Sequence, residues 1–375
     1  MLTIQKVDLS NRAEVNRFIQ FHYDLYKGTP QWVPPFYMDI RMMLNPQKHP
    51  FYEHSEGDFF VAMRGKEVVG RLGVLVNKPF NKYHGTKKAQ FYLFDTVDDL
   101  EVSKALFDRA LEWCKARGLD TLVGPKGLSG FDGYGIQIEG FELRQMMTMM
   151  QYNFPYYPQL MEQMGFEKEV DFVSCYLARE HFNIPDKAKE VARRVREKGN
   201  FRVVSFKSKA ELKKFAVKFG ETYNKTFVNN WEYYPLTERE IQFAVDNILT
   251  VAVPQYIKFI AHGDDLVGFL LGFPDISSAL QRQGGRITPW GLADIMLEFK
   301  KTRFISLNGL GVLPEYKGRG AVALLYDEMS RVLQESPFAE GELTQMAETA
   351  KEVRIELVTY GAKPWKNHRI YTKAV

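Results

Sequence analysis

The sequence predicts an α/β protein built from two similar domains, each a mixed, largely antiparallel sheet flanked by helices. Three observations carry this. The chain repeats itself once at nearly constant spacing. Each repeat opens with a strand and an amphipathic helix and has a two-strand hairpin at its centre. Each then closes on strand, helix, strand, an alternation that calls for a layered α/β arrangement. The length of 375 residues also exceeds what one hydrophobic core usually organises.

The repeat rests on four ordered matches. Ala13-Glu14-Val15 follows a strand-like TIQKVDL, and Ala210-Glu211-Leu212 follows FRVVSF. Trp32 corresponds to Trp231, Gly70 to Gly268, and Gly165 to Gly361. All four pairs are separated by nearly the same number of residues, which places one domain at 1–180 and the other at 200–375. A polar helix within 181–199, opened by Pro185 and stopped by Gly199, links them.

Within each half the elements follow in order. Val15, Phe18, Ile19 and Tyr23 share one face of the first helix. The hairpins turn at Arg64-Gly65-Lys66 and at His262-Gly263-Asp264-Asp265. A further strand, FYLFD or RFISLNGLGV, leads into the helix VSKALFDRALEWCKARG or VALLYDEMSRVLQE.

Composition bounds the function. Lys and Arg total 50 against 46 Asp and Glu, a near balance that argues against a nucleic-acid partner. Cys114 and Cys175 read as free core thiols of a reducing compartment. The segment MLTIQKVDLSN lacks the pattern of a signal peptide, and no apolar run reaches membrane-spanning length. A cytoplasmic protein with no membrane and no metal is therefore expected.

The sharpest local signal is Leu307 to Ala321, LNGLGVLPEYKGRGA, in which a strand enters a Gly-rich, basic turn and then a helix. Gly318 and Gly320 permit positive φ or close approach of a ligand. The free N–H groups at the helix start attract anions, and Lys317 and Arg319 add charge suited to a diphosphate. The segment is neither a P-loop nor a dinucleotide fingerprint. It resembles motif A of the GNAT (Gcn5-related N-acetyltransferase) superfamily, with the six signature places at Lys317, Gly318, Arg319, Gly320, Ala321 and Val322. The whole chain is similar to bacterial two-domain GNAT-like proteins in its GRLGVLVN hairpin, VGPKG turn, YNFPYYPQLMEQMGF stretch and closing HRIYTK. That resemblance implies an acyl-coenzyme A site at Val312, Leu313, Lys317, Gly318, Arg319, Gly320, Ala321 and Val322. Lys317 keeps the charge of the usual Gln/Arg position, while Val322 replaces a small residue. The family's Glu-Asp-Asn feature corresponds to Glu348, Thr349 and Ala350, so its Asn is absent, and no tyrosine matches the usual acid.

The equivalent stretch of the first half, LFDTVDDLE, has no glycine and no cation. Asp95, Asp98, Asp99 and Glu101 are expected near the helix start, where they favour the dipole and repel a diphosphate. The first half therefore reads as a GNAT-like domain without a cofactor loop. The Gly-rich run Gly124 to Gly135 reads as an active-site lid or interdomain loop.

The chemistry the resemblance implies is transfer of an acetyl or other acyl group from coenzyme A to a small-molecule or peptide amine. Candidate catalytic groups are Asn229, Asn230, Asp275, Asn308 and Glu348, with Tyr156 and Tyr157 placed to line an acceptor groove if one lies between the halves. Each has a plainer reading as a turn, cap or surface residue. Two alternatives stay open: a non-catalytic acyl-CoA-binding protein, and a structural protein with a degenerate GNAT fold.

Overall fold

The computed structural model describes residues 1–147, 150–228 and 230–375, with only the backbone of Ala216. The α/β class and the mixed, largely antiparallel sheets are as the sequence predicts. The chain divides into two compact units.

The first half runs β1 (Leu2–Lys6), α1 (Arg12–Leu25), α2 (Tyr37–Met43), β2 (Glu56–Arg64), β3 (Glu67–Val76), α3 (Lys78–His84), β4 (Lys88–Thr96), α4 (Leu100–Lys115), β5 (Thr121–Gly124), β6 (Ile136–Glu139), α5 (Tyr157–Gln163) and β7 (Glu167–Ala178). After α6 (Asp186–Lys198), the second half repeats the plan. It runs β8 (Arg202–Ser205), α7 (Lys209–Lys214), α8 (Ala216–Thr226), α9 (Glu238–Val251), β9 (Ile257–His262), β10 (Asp265–Pro274), α10 (Ser277–Gln283) and α11 (Pro289–Lys301). It closes with β11 (Phe304–Val312), α12 (Ala321–Glu335), β12 (Glu340–Ala347), α13 (Lys351–Thr359) and β13 (Lys363–Ala374).

In unit 1, β1 to β4 pair antiparallel in sequence order, and β4 pairs parallel with β5. Alternation along β2 sends Phe60 and Ala62 to a core under α4, and Phe59, Val61 and Met63 to a second core under α1 and α2. Asn11 caps α1 by accepting from the Ala13 and Glu14 N–H groups, and Val15, Phe18, Ile19 and His22 form its buried stripe. Unit 2 has the same ladder from β8 to β12, again parallel only at β11–β12. One of its faces packs on α12. The other carries a stack of Phe219 on Phe259 at 5.7 Å, with Phe269 edge-on to Phe219.

The matched glycines have structural causes. A β-carbon on Gly70 would stand 2.9 Å from Leu106 and Val102 of α4, and one on Gly268 would stand 3.4 Å from Leu325 of α12. Each hairpin is bare where its helix crosses it. Gly65 and Gly263 turn the two hairpins at φ of 60° and 61°, and Gly165 and Gly361 precede the two last strands at 74° and 101°.

The units are not contiguous in sequence, unlike the division at 1–180 and 200–375. Unit 1 comprises Met1–Phe172, Ser277–Met296 and Lys366–Val375; unit 2 comprises Val173–Ile276 and Leu297–Trp365. The sheet of unit 1 is closed by the chain's last strand, with Tyr371–Ala374 paired to Thr121–Gly124. The sheet of unit 2 is closed by the end of β7 beside β12. Residues 277–296 belong to unit 1 because their polar groups are satisfied there. Gln281 donates to the carbonyls of Pro30 and Trp32, and the Tyr37 N–H bonds to Gly285 O. The expected linker helix α6 packs within unit 2 on α12, where Arg196 pairs with Asp327 and Glu328. Cys114 and Cys175 are free and buried, and burial raises their thiols to about 12 and about 11. No helix among the described residues is long and apolar enough to cross a membrane. No group of His, Cys, Asp or Glu among them is placed to hold a metal ion.

Candidate functional site

In unit 2, β11 and β12 are paired only from Phe304–Leu307 against Glu340–Leu343. Beyond Leu307, β11 stays on β10 while leaving β12, through an irregularity at Gly309, whose φ is 122°. The β12-facing backbone of 308–312 is thereby released from the ladder. The chain then anchors through the Leu313 N–H on Val267 O at 2.8 Å, makes a tight turn over Pro314–Tyr316, and enters α12. Gly318 and Gly320 hold φ of 73° and 96°. No side chain caps α12, so its first N–H groups have no side-chain acceptor. Lys317 and Arg319 are exposed beside them, and Arg319 lies over the Tyr316 ring at 5.8 Å. This part of the site suits an anion. Val312, Leu313 and Ala321 are buried and fix the turn from below, and Val322 is half-buried. A β-carbon on Gly320 would overlap the Val195 methyl of α6, so that glycine faces protein, whereas Gly318 faces open space.

The catalytic candidates scatter. Asn308 is half-buried on β11, four residues before Val312. Glu348 follows the end of β12 and is half-buried. Asp275 bonds through its N–H to Phe304 O at the far end of β11, about 26 Å of strand from Val312. Asn230 is an exposed turn residue, with its N–H on Phe227 O at 2.8 Å. Asn229 lies outside the described residues. Of the described candidates, Asn308 and Glu348 lie toward the loop.

Unit 1 repeats the strand separation. β4 and β5 pair at Lys88–Gln90 against Thr121–Val123 and then part, with an irregularity at Leu93, φ 50°. A partly open cleft of about 380 Å³, mouth included, lies here, lined among others by Tyr26, Tyr92, Asp95, Gln151 and Tyr157. Tyr157, expected to line a groove between the halves, lines this cleft inside unit 1 instead. Its hydroxyl receives the Thr96 N–H at 3.0 Å and lies 3.0 Å from the Tyr26 hydroxyl; burial pushes both phenols well above their usual range. Tyr156 instead donates to Thr96 O at 2.6 Å.

Sequence reading missed a buried charge cluster behind this cleft. Asp95 was expected at a helix start; it lies inside β4, 5% exposed, because two partners neutralise it there. Arg71 Nε donates to its carboxylate at 2.7 Å, and His22 Nδ1 lies 2.9 Å away. Trp32 Nε1 donates to His22 Nε2 at 3.3 Å, which assigns the ring proton to Nδ1. Burial works to raise the Asp95 carboxyl, but His22 and Arg71 outweigh it and hold it down at about 2. Burial, with Arg71 adding to it, lowers His22 despite Asp95. The available signals were an Arg and an Asp in otherwise apolar strands. Asp132 precedes lining residue Gly133 and accepts from the Ser129 N–H at 2.8 Å. Burial pushes its carboxyl up to about 6.

The start of α4 differs from that of α12. Asp99 caps it by accepting from the Glu101 N–H, and Arg64 bridges Asp99 and Glu101.

No family model matches the chain. It is 28% identical to Protein YghO of Escherichia coli over 97% of this chain and 94% of that one. It is 24% identical to a bacterial ceramide synthase of Caulobacter vibrioides over 98% and 97%. A tandem GNAT protein from the clavulanic acid biosynthesis pathway superposes with TM-score 0.57 at 13% identity, covering all of this chain and 98% of that one. Two ladders with one parallel pair each, repeated once along the chain and matched end to end by that structure, give the conclusion that this protein has a tandem GNAT-like fold.

Proposed function

We propose that the protein is an N-acyltransferase that takes an acetyl or longer acyl group from coenzyme A, whose diphosphate rests on the loop Val312–Val322. The observation that supports this reading is the difference between equivalent helices. α12 begins uncapped beside exposed Lys317 and Arg319, while α4 begins under its own carboxylate. A coenzyme A diphosphate would meet N–H groups and cations at the first and a repelling Asp99 at the second. One coenzyme A per chain follows.

In the reaction, a neutral amine attacks the thioester carbonyl, the C–N bond forms, the C–S bond breaks and the thiolate leaves. The proton shed by the amine needs a base. The backbone of 308–312, freed from β12, provides groups to align the pantetheine arm, as the family resemblance implies. A ceramide is an N-acylated long-chain amino alcohol, so the name of the Caulobacter relative describes this same bond. Long-chain acyl-CoA with a long-chain amino alcohol is therefore the first pair to try.

A second reading puts the chemistry at the cleft of unit 1. It is favoured by the parting of β4 and β5, which opens that cleft as β11 and β12 part in unit 2, and the Asp132 carboxyl of the adjoining loop, raised to about 6 by burial, is its candidate base. The experiment is thiol release from acetyl- and palmitoyl-CoA with and without the amine. The proposal expects release that depends on the amine and yields the amide. Coenzyme A binding without amide would leave only a binding protein, and no binding would end both readings.

A further inference from the structure

Residues 286–301 carry an inverted amphipathic pattern. α11 turns Gly291 and Ile295 inward, yet its water side bears Trp290, Leu292, Met296 and Leu297, with Trp290 86% exposed. At 100° per residue these four, with exposed Ala293, fill one continuous arc of the helix. Ile287 extends the apolar surface just before the helix. Exposed Met38 follows Tyr37, whose N–H bonds to Gly285 O and whose ring carries Arg286 at 4.7 Å. Solitary exposed apolar residues are ordinary, but a contiguous set with a tryptophan marks an interaction surface.

The charges around the patch indicate what it meets. Lys300, in the last turn, falls within the same exposed arc, exposed Lys301 lies just past its Trp290 edge, and Arg286 stands before the start of the helix. The acid nearest that arc, Asp294, is held by Arg282 at 2.7 Å. The cores of protein interfaces are depleted of lysine. A helix with Trp, Leu and Met facing out and exposed lysines at its end matches a bilayer interface instead, where the rings and methyls enter the headgroup boundary and the cations meet anionic lipid. We propose that α11, with Ile287 and Met38, docks the protein on the surface of an anionic membrane. Surface docking requires no spanning helix, and it narrows the sequence-based expectation of no membrane to no span. The inference does not rest on the acyl-transfer reading.

The test is flotation of the full chain with phosphatidylcholine vesicles, with and without roughly a third phosphatidylglycerol, in the absence of any acyl-CoA. Tryptophan emission is followed in parallel. The parent protein should float with the anionic vesicles, shift its emission to the blue, and detach as salt rises. Trp290→Ser/Met296→Ser should lose roughly tenfold or more in partitioning, since two buried apolar side chains are removed. Lys300→Glu/Lys301→Glu should lose binding to anionic vesicles most at low salt. These positions are exposed, and circular dichroism checks that the variants fold. Failure of the parent to float would overturn the proposal. So would parent-like flotation of both variants. So would self-association in sedimentation that Trp290→Ser abolishes without any vesicle binding, because a second copy would then cover the face.

Discussion

The Val195 side chain of α6 occupies the space into which a β-carbon on Gly320 would project. Helix and loop are therefore fitted to each other within unit 2, and Gly320 is required twice, for φ of 96° and for the contact. Gly320→Ala should lower stability by ~1–3 kcal/mol through overpacking, with the strain of positive φ in addition. Val195→Ala in the same chain should recover the overlap part but not the backbone part. Urea denaturation of the single and double variants measures both. A fully stable Gly320→Ala would contradict the geometry. This also makes Gly320 a poor position for probing ligand binding alone.

The buried cluster of unit 1 gives the second prediction. Arg71 is 1% exposed and bonds both Asp95 and, at 3.2 Å, Phe18 O. Arg71→Leu leaves Asp95 with His22 as its remaining partner and should cost ~3–5 kcal/mol. Adding Asp95→Leu should return a large share of that, because no unpaired charge remains. A double-mutant cycle reads the coupling, and simple additivity would show that the pair is not coupled.

His368 supplies a pH prediction. It is buried on β13, its Nε2 lies 2.9 Å from Gln151 O, and burial lowers it to about 3. Its folded pKa is below the unfolded value of ~6.5, so the unfolded chain binds the extra proton. Stability from this group is present above the unfolded value and is lost as pH falls from ~6.5 toward the folded value, at ~1.4 kcal/mol per pH unit. His368→Gln, which keeps a donor for Gln151 O, should flatten the acid limb of stability against pH by that slope. An unchanged limb would mean that His368 is not buried neutral.

The glycines marked the repeat because each has a local cause, a tight turn or a crossing helix, and local causes leave local traces. The loop at Lys317–Gly320 was legible for the same reason. Strand closure was not. β7 and β13 hold equivalent places in the two halves, and nothing in either strand says which sheet it completes. Residues 277–296 were read with the second half because their partners, Pro30, Trp32 and Tyr37, are remote in sequence. Asp95 was grouped with Asp98, Asp99 and Glu101 by proximity along the chain, and only the fold separates the buried acid from the capping one.

Asp132 discriminates between the two places proposed for the chemistry. If it serves as base, turnover with saturating amine should rise with pH through about 6, where its carboxyl titrates. Asp132→Asn should then cut kcat by ~100-fold or more and remove that inflection. An unchanged profile would assign proton removal elsewhere.

Calorimetric titration of the folded protein with coenzyme A, alongside Lys317→Glu/Arg319→Glu, asks whether the diphosphate rests on the 317–320 loop. Both positions are exposed and neither substitution strains the backbone. One coenzyme A per chain is expected for the parent. A loss of roughly tenfold or more is expected in the variant, since two cations beside the diphosphate become anions. Two coenzyme A per chain, or parent-like affinity in the folded variant, would contradict the placement of the diphosphate on this loop.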